Sequence, residues 1–600
     1  MVSPVAALAF SLFFQTQFSQ QIVVTASELP ETVESTPAAV SIITRKDIES
    51  QAALDVADVL REVPGLTLAR TGSAGKATSL FTRGAASTQT LVLWNGIEIN
   101  DPYFAGYDWG RFSTAGIEQI EVVRGPFSAL YGSDAMAGVV NVLTAPRTTG
   151  ARAEIDAGGR GLRNSVIDGA YVGSGIEVSG AAEHREDNGF NPNDDFHQNS
   201  YNAFAKWAPL KIFSIGLAAR DTSYNLGIPF NTNADATALV PSLHRRQDGR
   251  EFQLALPITF HTTQLTLSQN RRRDDFTDPD DPFTTSQRTD ARASRARLTT
   301  HSDTTPFGTF AGGAEYERAV VSDVTNLGPN FLNRRRTDRA FFVEDRYSHP
   351  VGVWRLELSL GLRNDRFDTF GSQTSPRVAA AFVFGPQKIR AAFGEGFRAP
   401  SLGELYFPFF GNASLRAERN RSFELGYDTA VVRTGLFNIT YFNARYRDLI
   451  TFDPTTFVSE NIGRVRTDGI ELGWQQSITP TIYTAISYTY LHRANDEETG
   501  LRLARRPKNS GSLLVGWRSG DTQATAVVMR TGSRPDEMAI APFSSITDRP
   551  YTTIDANVQH RIGWITPFLK VENLADAHYQ EVSGFDSPRR RAIFGIRLGS

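Results

Sequence analysis

Through the last three quarters of the chain, apolar and polar residues alternate. Trp354, Leu356, Leu358, Leu360 and Leu362 are separated by Arg355, Glu357, Ser359, Gly361 and Arg363, so an extended backbone there has one greasy face and one polar face. The same period recurs at Ile482, Thr484, Ile486, Tyr488 and Tyr490, and at Ala592, Phe594, Ile596 and Leu598. Repeated with turn residues between the runs, it predicts the strands of a sheet. A half-buried soluble sheet has the same local pattern, and scale separates the two. Roughly 450 residues beyond Ala151 hold hardly any helical periodicity, and closing so many strands on themselves removes their exposed edges.

The N-terminal part reads as a small α+β domain. Residues 39–44 predict a short strand. Residues 47–60 have helical spacing, with Ile48, Ala52, Val56 and Val59 on one side, and Pro64-Gly65 stops the helix. In LVLWNGIEI, apolar strands flank Asn95-Gly96, the strongest short hairpin signal. Residues 117–144, IEQIEVVRGPFSALYGSDAMAGVVNVLT, place β-branched residues at Ile120, Val122, Val139, Val140 and Val142 around turn punctuation at Gly125-Pro126 and Gly132-Ser133. Two short strands flanking a tight loop follow. Further upstream, Val5 to Phe14 is the only continuous apolar stretch and suits the core of a signal peptide over residues 1–20, cleaved near residues 19–21. No Lys or Arg precedes it and no A-x-A site follows it. Next come Ile22, Val23, Val24, Thr25 and Ala26, whose β-branched run favours an extended backbone. At a mature N-terminus that strand is expected to be unpaired.

Composition narrows the class. Six hundred residues would suggest about four domains, a rule that large β-barrels exceed. The formal charge of -3 predicts no nucleic-acid partner, and the basic runs at 271–273 and 334–336 read as solvated loops, the first of them beside Asp274 and Asp275. The absence of cysteine excludes disulfides, thiolate metal sites and cysteine nucleophiles. Forty Phe and 17 Tyr suit a barrel with aromatic girdles at both membrane interfaces. No interior run of 18 apolar residues suggests a helical membrane protein. An enzyme is not expected. TGSAGKATS at 71–79 has the Gly75-Lys76 of a phosphate-binding loop, but Arg70 and Ala77 stand where Gly and Ser or Thr are needed. No G-x-S-x-G or H-E-x-x-H occurs, and the nine His show no metal-ligand spacing.

Taken together, these motifs resemble the TonB-dependent outer-membrane receptors. Residues 117–144 are similar, nearly residue for residue, to the end of that family's plug domain, and SLFTRGA and TLVLWNGIEIND precede them in family order, with Asn95 where Asp is usual. FGEGFRAPSLGELY at 393–406, GNASLRAERNRSFELGYD at 411–428, YFNARYRDLITFD, NIGRVRTDGIELG, YTYLHRANDEETG and VENLADAHYQEVSGFDSPRR continue the match. It covers nearly the whole chain, is most specific in the plug and the last third, and is weakest between 151 and 340. The resemblance implies a TonB box and linker at 21–30, a plug at 31–147, and an all-β transmembrane barrel of about 22 antiparallel strands at 148–600, with the small α+β plug inside it. Strands of about 10 residues leave roughly half the barrel segment for turns and loops. It implies a monomer in outer-membrane lipid, energised by TonB with ExbB and ExbD, with no cofactor. A passive porin would share the barrel but need neither plug nor box. One departure is that family barrels usually finish on an aromatic residue, whereas here Phe594 is the last aromatic before Leu598-Gly599-Ser600.

Residue by residue, the resemblance implies several sites. Ile22 to Ala26 would add as a strand to TonB, and the few residues ahead of it leave no room for a signalling domain, which favours uptake over transcriptional signalling. Arg83 and Arg124 match plug arginines that pair with barrel glutamates, expected at Glu424 and Glu471. Substrate would lie between apical plug loops at 71–77 and 102–109, with Gly72, Ser73, Lys76, Tyr103, Tyr107 and Trp109 as candidates, and the barrel's outer loops. The wording is closest to cobalamin receptors, which implies cobalamin or a related corrinoid, with a ferric siderophore as the alternative. Haem receptors have a His between two boxes that correspond here to Phe397–Pro400 and Asn412–Leu415, and residues 401–411 contain none. Cobalamin receptors also bind calcium through loop aspartates, which points to Asp187, Asp194 and Asp195, with a second acidic stretch at 274–281. Neither stretch has EF-hand spacing, and solvated loop acid is the other reading.

Overall fold

The computed structural model of the protein describes residues 22–23, 25–29, 31–233, 237–431, 435–453, 458–540 and 544–599. The expected signal segment lies outside the described residues, as does Val24. Beyond residue 149 the alternating pattern folds into 22 antiparallel strands, each paired with its neighbours, and Gly150–Gly158 closes the ring against Arg591–Gly599 through partners such as Ile155 and Ile596. Closure leaves no strand edge for another chain to template on.

The two faces of the wall invert the usual order of a soluble protein. On the strand Trp354–Phe367, Leu360 and Leu362 are 44% and 48% exposed, whereas Arg363 and Asp365 are 1% and 0% exposed. Apolar side chains therefore point outward and charged ones into the lumen, which a lipid-facing barrel requires. The turns at one end are two residues long, for example 174–175, 211–212, 352–353 and 385–386, whereas the other end has the loops 228–245, 399–417, 532–550 and 573–590. Short turns mark the periplasmic end and long loops the outer end. Strand length is uneven around the ring, from 24 residues at Gly328–Val351 to 8 at Ile565–Glu572.

Inside the ring sits the plug. Its sheet has the order Ala39–Thr44, Gln119–Arg124, Gly138–Leu143, Thr90–Trp94 and Ile97–Glu98, with a separate hairpin from Leu66–Arg70 and Thr78–Thr82. The expected strand at 39–44 forms, and Asn95 and Gly96 adopt positive φ of 48° and 81°, as a type I′ hairpin turn demands. The 117–144 segment gives two antiparallel strands, Gln119–Arg124 and Gly138–Leu143, around the one-turn helix Ser128–Tyr131. The single helix expected over 47–60 is instead two, Arg45–Gln51 and Val56–Leu60. Ala52 is left-handed (φ 47°) and ends the first, while Asp55 starts the second, its backbone N–H accepted by Asp58. Both helices place Ile48, Val56, Val59 and Leu60 against Trp94, Trp109, Ile120 and Val140 in the plug's own core.

Candidate functional site

The strands Glu418–Val431 and Val458–Ser477 flank Gly435–Asp453, with Glu424 opposite Phe442 and Glu471 opposite Thr440. That register brings both carboxylates to nearly one height on the lumen wall. From the plug, Arg83 follows the strand Thr78–Thr82 and Arg124 ends Gln119–Arg124. Arg83 donates from Nε and Nη2 to the two oxygens of Glu471 at 2.8 and 3.0 Å, and from Nη1 to Glu424 at 2.7 Å. The fork of the guanidinium matches a carboxylate in this bidentate way. Arg124 Nε lies 3.2 Å from Glu471, and its Nη1 donates to Ser41 at 2.8 Å. The Phe442 ring packs against Arg83, 5.0 Å from centroid to guanidinium carbon. Arg390 adds a third cation, 3.2 Å from Glu424 and 3.0 Å from Asp428. All four residues singled out in the sequence meet in one cluster, none more than 6% exposed.

Backbone geometry around that cluster is unusual. Arg83 is left-handed at φ 53°, a conformation that costs energy for a residue with a side chain and persists only where its surroundings hold it. Its N–H donates to Gly65 O at 2.7 Å. Gly65 has φ 83°, and a Cβ there would stand 2.0 Å from Glu471 Oε1. Only glycine lets the carboxylate come this close.

At the outer end, the expected substrate residues separate. Tyr103, Tyr107 and Trp109 are buried, and their hydroxyl and ring contacts face inward: Tyr103 donates to Asp323 at 2.7 Å, Tyr107 donates to Glu251 at 3.0 Å, and Trp109 stacks on Phe112 with centroids 6.0 Å apart. As direct ligand contacts these three are corrected to plug-packing residues. Ser73 donates to Asp194 at 2.6 Å, and Lys76 donates to the Asp194 carbonyl at 3.1 Å with its Nζ 3.3 Å from the carboxylate. Burial pulls the Lys76 ammonium below the usual lysine range, with Asp194 opposing the shift. Gly72, half-buried at φ 109°, is the bend before that anchored loop. The side chains that do face the mouth were not expected. Phe104 at the plug apex is 64% exposed, and Phe409 in the loop 399–417 is 89% exposed with φ 68°. A chain of rings runs between their neighbourhoods, with Tyr103 against Phe104 (4.3 Å) and Phe331 (6.0 Å), and Phe331 against Tyr406 (6.5 Å). Arg334 sits 4.7 Å over Tyr406. Their signal in sequence is weak, since an aromatic in a loop is unremarkable until the fold places it.

The loop aspartates do not converge on one point. Asp187 pairs with Arg591, Asp194 is held by Ser73 and Lys76, and Asp195 accepts from Arg246 at 2.7 Å. The Arg246 hydrogen bond holds the Asp195 carboxyl below the usual carboxylate range. In the second stretch, Asp274 accepts from Arg272 at 2.6 Å and Asp275 from Arg273 at 2.8 Å. Among the described residues no group of three or more His, Asp or Glu is placed to hold an ion.

The segment at 22–32 also departs from expectation. Ile22–Val23 is paired, antiparallel with Glu31–Thr32, rather than unpaired. Val23, Thr25 and Ala26 are at most 3% exposed. Thr25 donates to Glu121 at 2.6 Å and accepts from Asn141 at 3.0 Å, while Ser27 donates to Glu344 at 3.0 Å, Glu28 pairs with Arg297, and Glu31 lies 2.5 Å from Arg346. The plug sheet supplies the partners of Thr25, and the polar lumen wall supplies those of Ser27, Glu28 and Glu31, which a reading of the pentapeptide alone could not include.

Plug and wall do not meet equally all round. Opposite Gln51, Asp58, Glu62 and Val63, a cavity of about 150 Å³ separates the plug from Thr489, Asp555, Asn557 and Lys570 on the wall. Burial pushes the Glu62 carboxyl up to about 8. Two contacts that the sequence did not disclose flank the gap, Arg61 with Glu581 at 2.6 Å and Asp55 with Arg185 at 2.7 Å. Elsewhere Arg506, from the loop 497–508, donates to the plug carbonyls of Gly84 and Ala85 at 3.3 and 3.0 Å and lies 3.9 Å over Phe81.

Comparison with known proteins agrees with this arrangement. Residues 156–574 match the family model "TonB dependent receptor-like, beta-barrel", and residues 32–139 match "TonB-dependent Receptor Plug Domain". The chain is 26% identical to the "Vitamin B12 transporter BtuB" of Photobacterium profundum, covering 86% of each, and 27% identical to that of Vibrio cholerae, covering 97% of this chain and 96% of the relative. Among solved structures, the siderophore receptor PirA from Acinetobacter baumannii superposes with a TM-score of 0.79 at 15% identity, covering 94% of this chain and 98% of the other. The ferric enterobactin receptor PfeA from Pseudomonas aeruginosa does so with a TM-score of 0.78 at 17% identity, covering 97% and 100%. At those identities the structures share the fold.

Proposed function

The chain belongs to the TonB-dependent outer-membrane receptors, and from that premise we propose that it takes up cobalamin or a related corrinoid. The observation that supports this substrate is the run of vitamin B12 transporters among its sequence relatives, similar over 86–97% of the chain at 23–27% identity. The mouth suits such a ligand. Phe104 and Phe409 offer apolar faces to a flat macrocycle, and aromatic rings supply large contact area at small entropic cost. Ligand settles on this ledge above the plug. Residues 22–26 are the strand handed to TonB, and Ile22–Val23 must first leave its pairing with Glu31–Thr32 and Thr25 its hydrogen bonds to Glu121 and Asn141 of the plug. The cluster of Arg83, Arg124, Glu424 and Glu471 keeps the plug registered in the barrel while it waits. No covalent bond changes. Equilibrium binding of cyanocobalamin and of ferric enterobactin to the purified receptor tests the substrate, with saturable binding of the corrinoid alone expected. Saturable binding of the siderophore alone overturns it. Deleting residues 22–26 should abolish energised uptake and leave binding intact, whereas a passive channel would be unaffected.

A further inference from the structure

Three outer loops are tied to one another, and the ties return to a single plug hairpin, Leu66–Arg70 with Thr78–Thr82. Its tip, residues 71–77, reaches the loop 188–195. There Asp194 accepts from Ser73 Oγ at 2.6 Å and from the backbone N–H groups of Phe190 and Asn191 at 2.8 and 3.2 Å. The loop folds around this one carboxylate, with Gly189 at φ 67°, where a Cβ would stand 2.6 Å from Asp194 Oδ2. A carboxylate that is 2% exposed needs a counter-charge. Asp195 is taken by Arg246 and Asp187 by Arg591, and the cation that reaches Asp194 is Lys76, itself 5% exposed. Its Nζ lies 3.3 Å from Oδ1 and donates to the Asp194 main-chain carbonyl at 3.1 Å.

The neighbouring residue carries the tie outward. Asn193, left-handed at φ 54°, places Nδ2 at 3.2, 3.0 and 2.9 Å from the carbonyls of Ile228, Ser242 and Arg245, which form the neck of the loop 228–245. Arg246 donates to Asn193 Oδ1 at 3.2 Å and so orients the amide. Further along that loop, Phe230 meets Phe585 of the loop 573–590 edge to face, with centroids 6.5 Å apart, and a Cβ on Gly584 would stand 2.9 Å from Leu239. The loop 573–590 then comes back to the plug, where Glu581 accepts from Arg61 at 2.6 and 2.9 Å and from the Arg70 N–H at 2.8 Å. Both ends of this roof are therefore pinned beside one hairpin. The loop 228–245 has one further hold, Asp278, which accepts from Asn231 at 3.2 Å and lies 3.5 Å from Arg245.

We propose that Lys76 is a positioning residue whose ammonium, carried by the plug, is the internal cation that orders the outer loop 188–195 and, through Asn193, the neck of the loop 228–245. The shape of the roof then depends on the position of the plug. With the hairpin seated, both loops are fixed as a cargo meets them; withdrawing its tip removes the counter-charge of Asp194 and frees them together. Charge makes this coupling steeper than packing alone, since a buried carboxylate left without its cation is strongly destabilising. No particular cargo is required, and none is used in the test.

The chain has no cysteine, so single nitroxide labels on Pro192→Cys, Val240→Cys and Leu501→Cys of the full receptor in detergent report on the two loops and on the separate loop 497–508. All three positions are exposed. Electron paramagnetic resonance spectra are compared for the labelled parents, Lys76→Met, Lys76→Met/Asp194→Asn and Asn193→Ala, each shown to be folded by heat-dependent gel mobility. Methionine keeps most of the bulk of the lysine stem and removes the charge. In Lys76→Met the label should rotate roughly threefold faster at Pro192, by a smaller factor at Val240, where Asp278 still holds, and at the parent rate at Leu501. The double variant should recover part of the order because the stranded carboxylate is gone, and Asn193→Ala should loosen Val240 more than Pro192. Unchanged spectra at Pro192 and Val240 in Lys76→Met, equal loosening at Leu501, or a double variant no tighter than Lys76→Met, which would mark a packing role, each overturns the proposal.

Discussion

Glu471→Ala removes the acid that two plug arginines share. It strips Arg83 of two hydrogen bonds and leaves it Glu424, and it leaves Arg124 with Ser41. Both cations stay buried. Breaking a buried ion pair by deleting one partner costs about 3–5 kcal/mol, because the remaining charge is uncompensated. Glu424 remains, so the lower figure applies, about 3 kcal/mol of lost plug retention. Each 1.4 kcal/mol is tenfold, which raises the population of loosened plug by roughly 100-fold. Planar-bilayer recordings read that directly as openings through the barrel, and proteolysis of the plug reads it independently. Glu471→Gln, which keeps shape and one acceptor, should fall between. In the double variant Arg83→Met/Glu471→Ala one of the two cations left by Glu471→Ala is gone and Arg124 remains, so the effect should be smaller than the sum of the single changes. Wild-type conductance and protease resistance in Glu471→Ala would refute the retention argument, as would strict additivity in the double variant.

Three further outcomes are expected. The Glu62 carboxyl has a folded pKa of about 8, above its usual 4.5, so its stabilising contribution is complete below pH 4.5 and lost as pH rises through 8. Plug protease resistance should fall over that window and Glu62→Gln should flatten the profile, while parallel profiles would show that Glu62 is not the titrating group. Because Asp187, Asp194 and Asp195 are already engaged by Arg591, Lys76 and Arg246, isothermal titration with calcium should show no saturable heat that an Asp194→Asn/Asp195→Asn variant loses. Phe409→Ser and Phe104→Ala should each weaken ligand binding by roughly tenfold, about 1.5 kcal/mol for an aromatic face covered by ligand, with melting unchanged because both rings are exposed. A shift in melting without a change in affinity would show that they are structural.

The parts legible in sequence are those decided locally. Alternation at Trp354–Leu362 identified a strand because a period of two admits no other backbone, and Asn95-Gly96 marked its hairpin because few residue pairs accept two left-handed positions. Arg83, Arg124, Glu424 and Glu471 were found through their motifs, not through any pattern that encodes pairing across 341 or 388 residues. For the same reason Asp55 with Arg185 and Arg61 with Glu581 stayed hidden. The helix over 47–60 was misjudged because hydrophobic spacing persists across Ala52 although the backbone does not. Tyr103, Tyr107 and Trp109 were misplaced because large aromatics in an apical loop serve equally as ligand face or as packing, and only the surrounding acids Asp323 and Glu251 decide. The unpaired strand at 22–26 failed on a partner contributed by the chain itself, nine residues on from Ile22–Val23.

The uneven strands give the receptor a sloping rim. At about 3.4 Å per residue the wall at Gly328–Val351 runs for roughly 80 Å along its strand, whereas Ile565–Glu572 runs for under 30 Å, little more than the lipid's apolar thickness. One side stands clear of the membrane like a parapet and the other is a doorstep roofed only by the loops 532–550 and 573–590. The high wall is the one that carries Phe331 and Arg334. The doorstep strand, through Lys570 and Glu572, also lines the cavity between plug and wall, so the low side of the rim and that gap share one flank of the molecule.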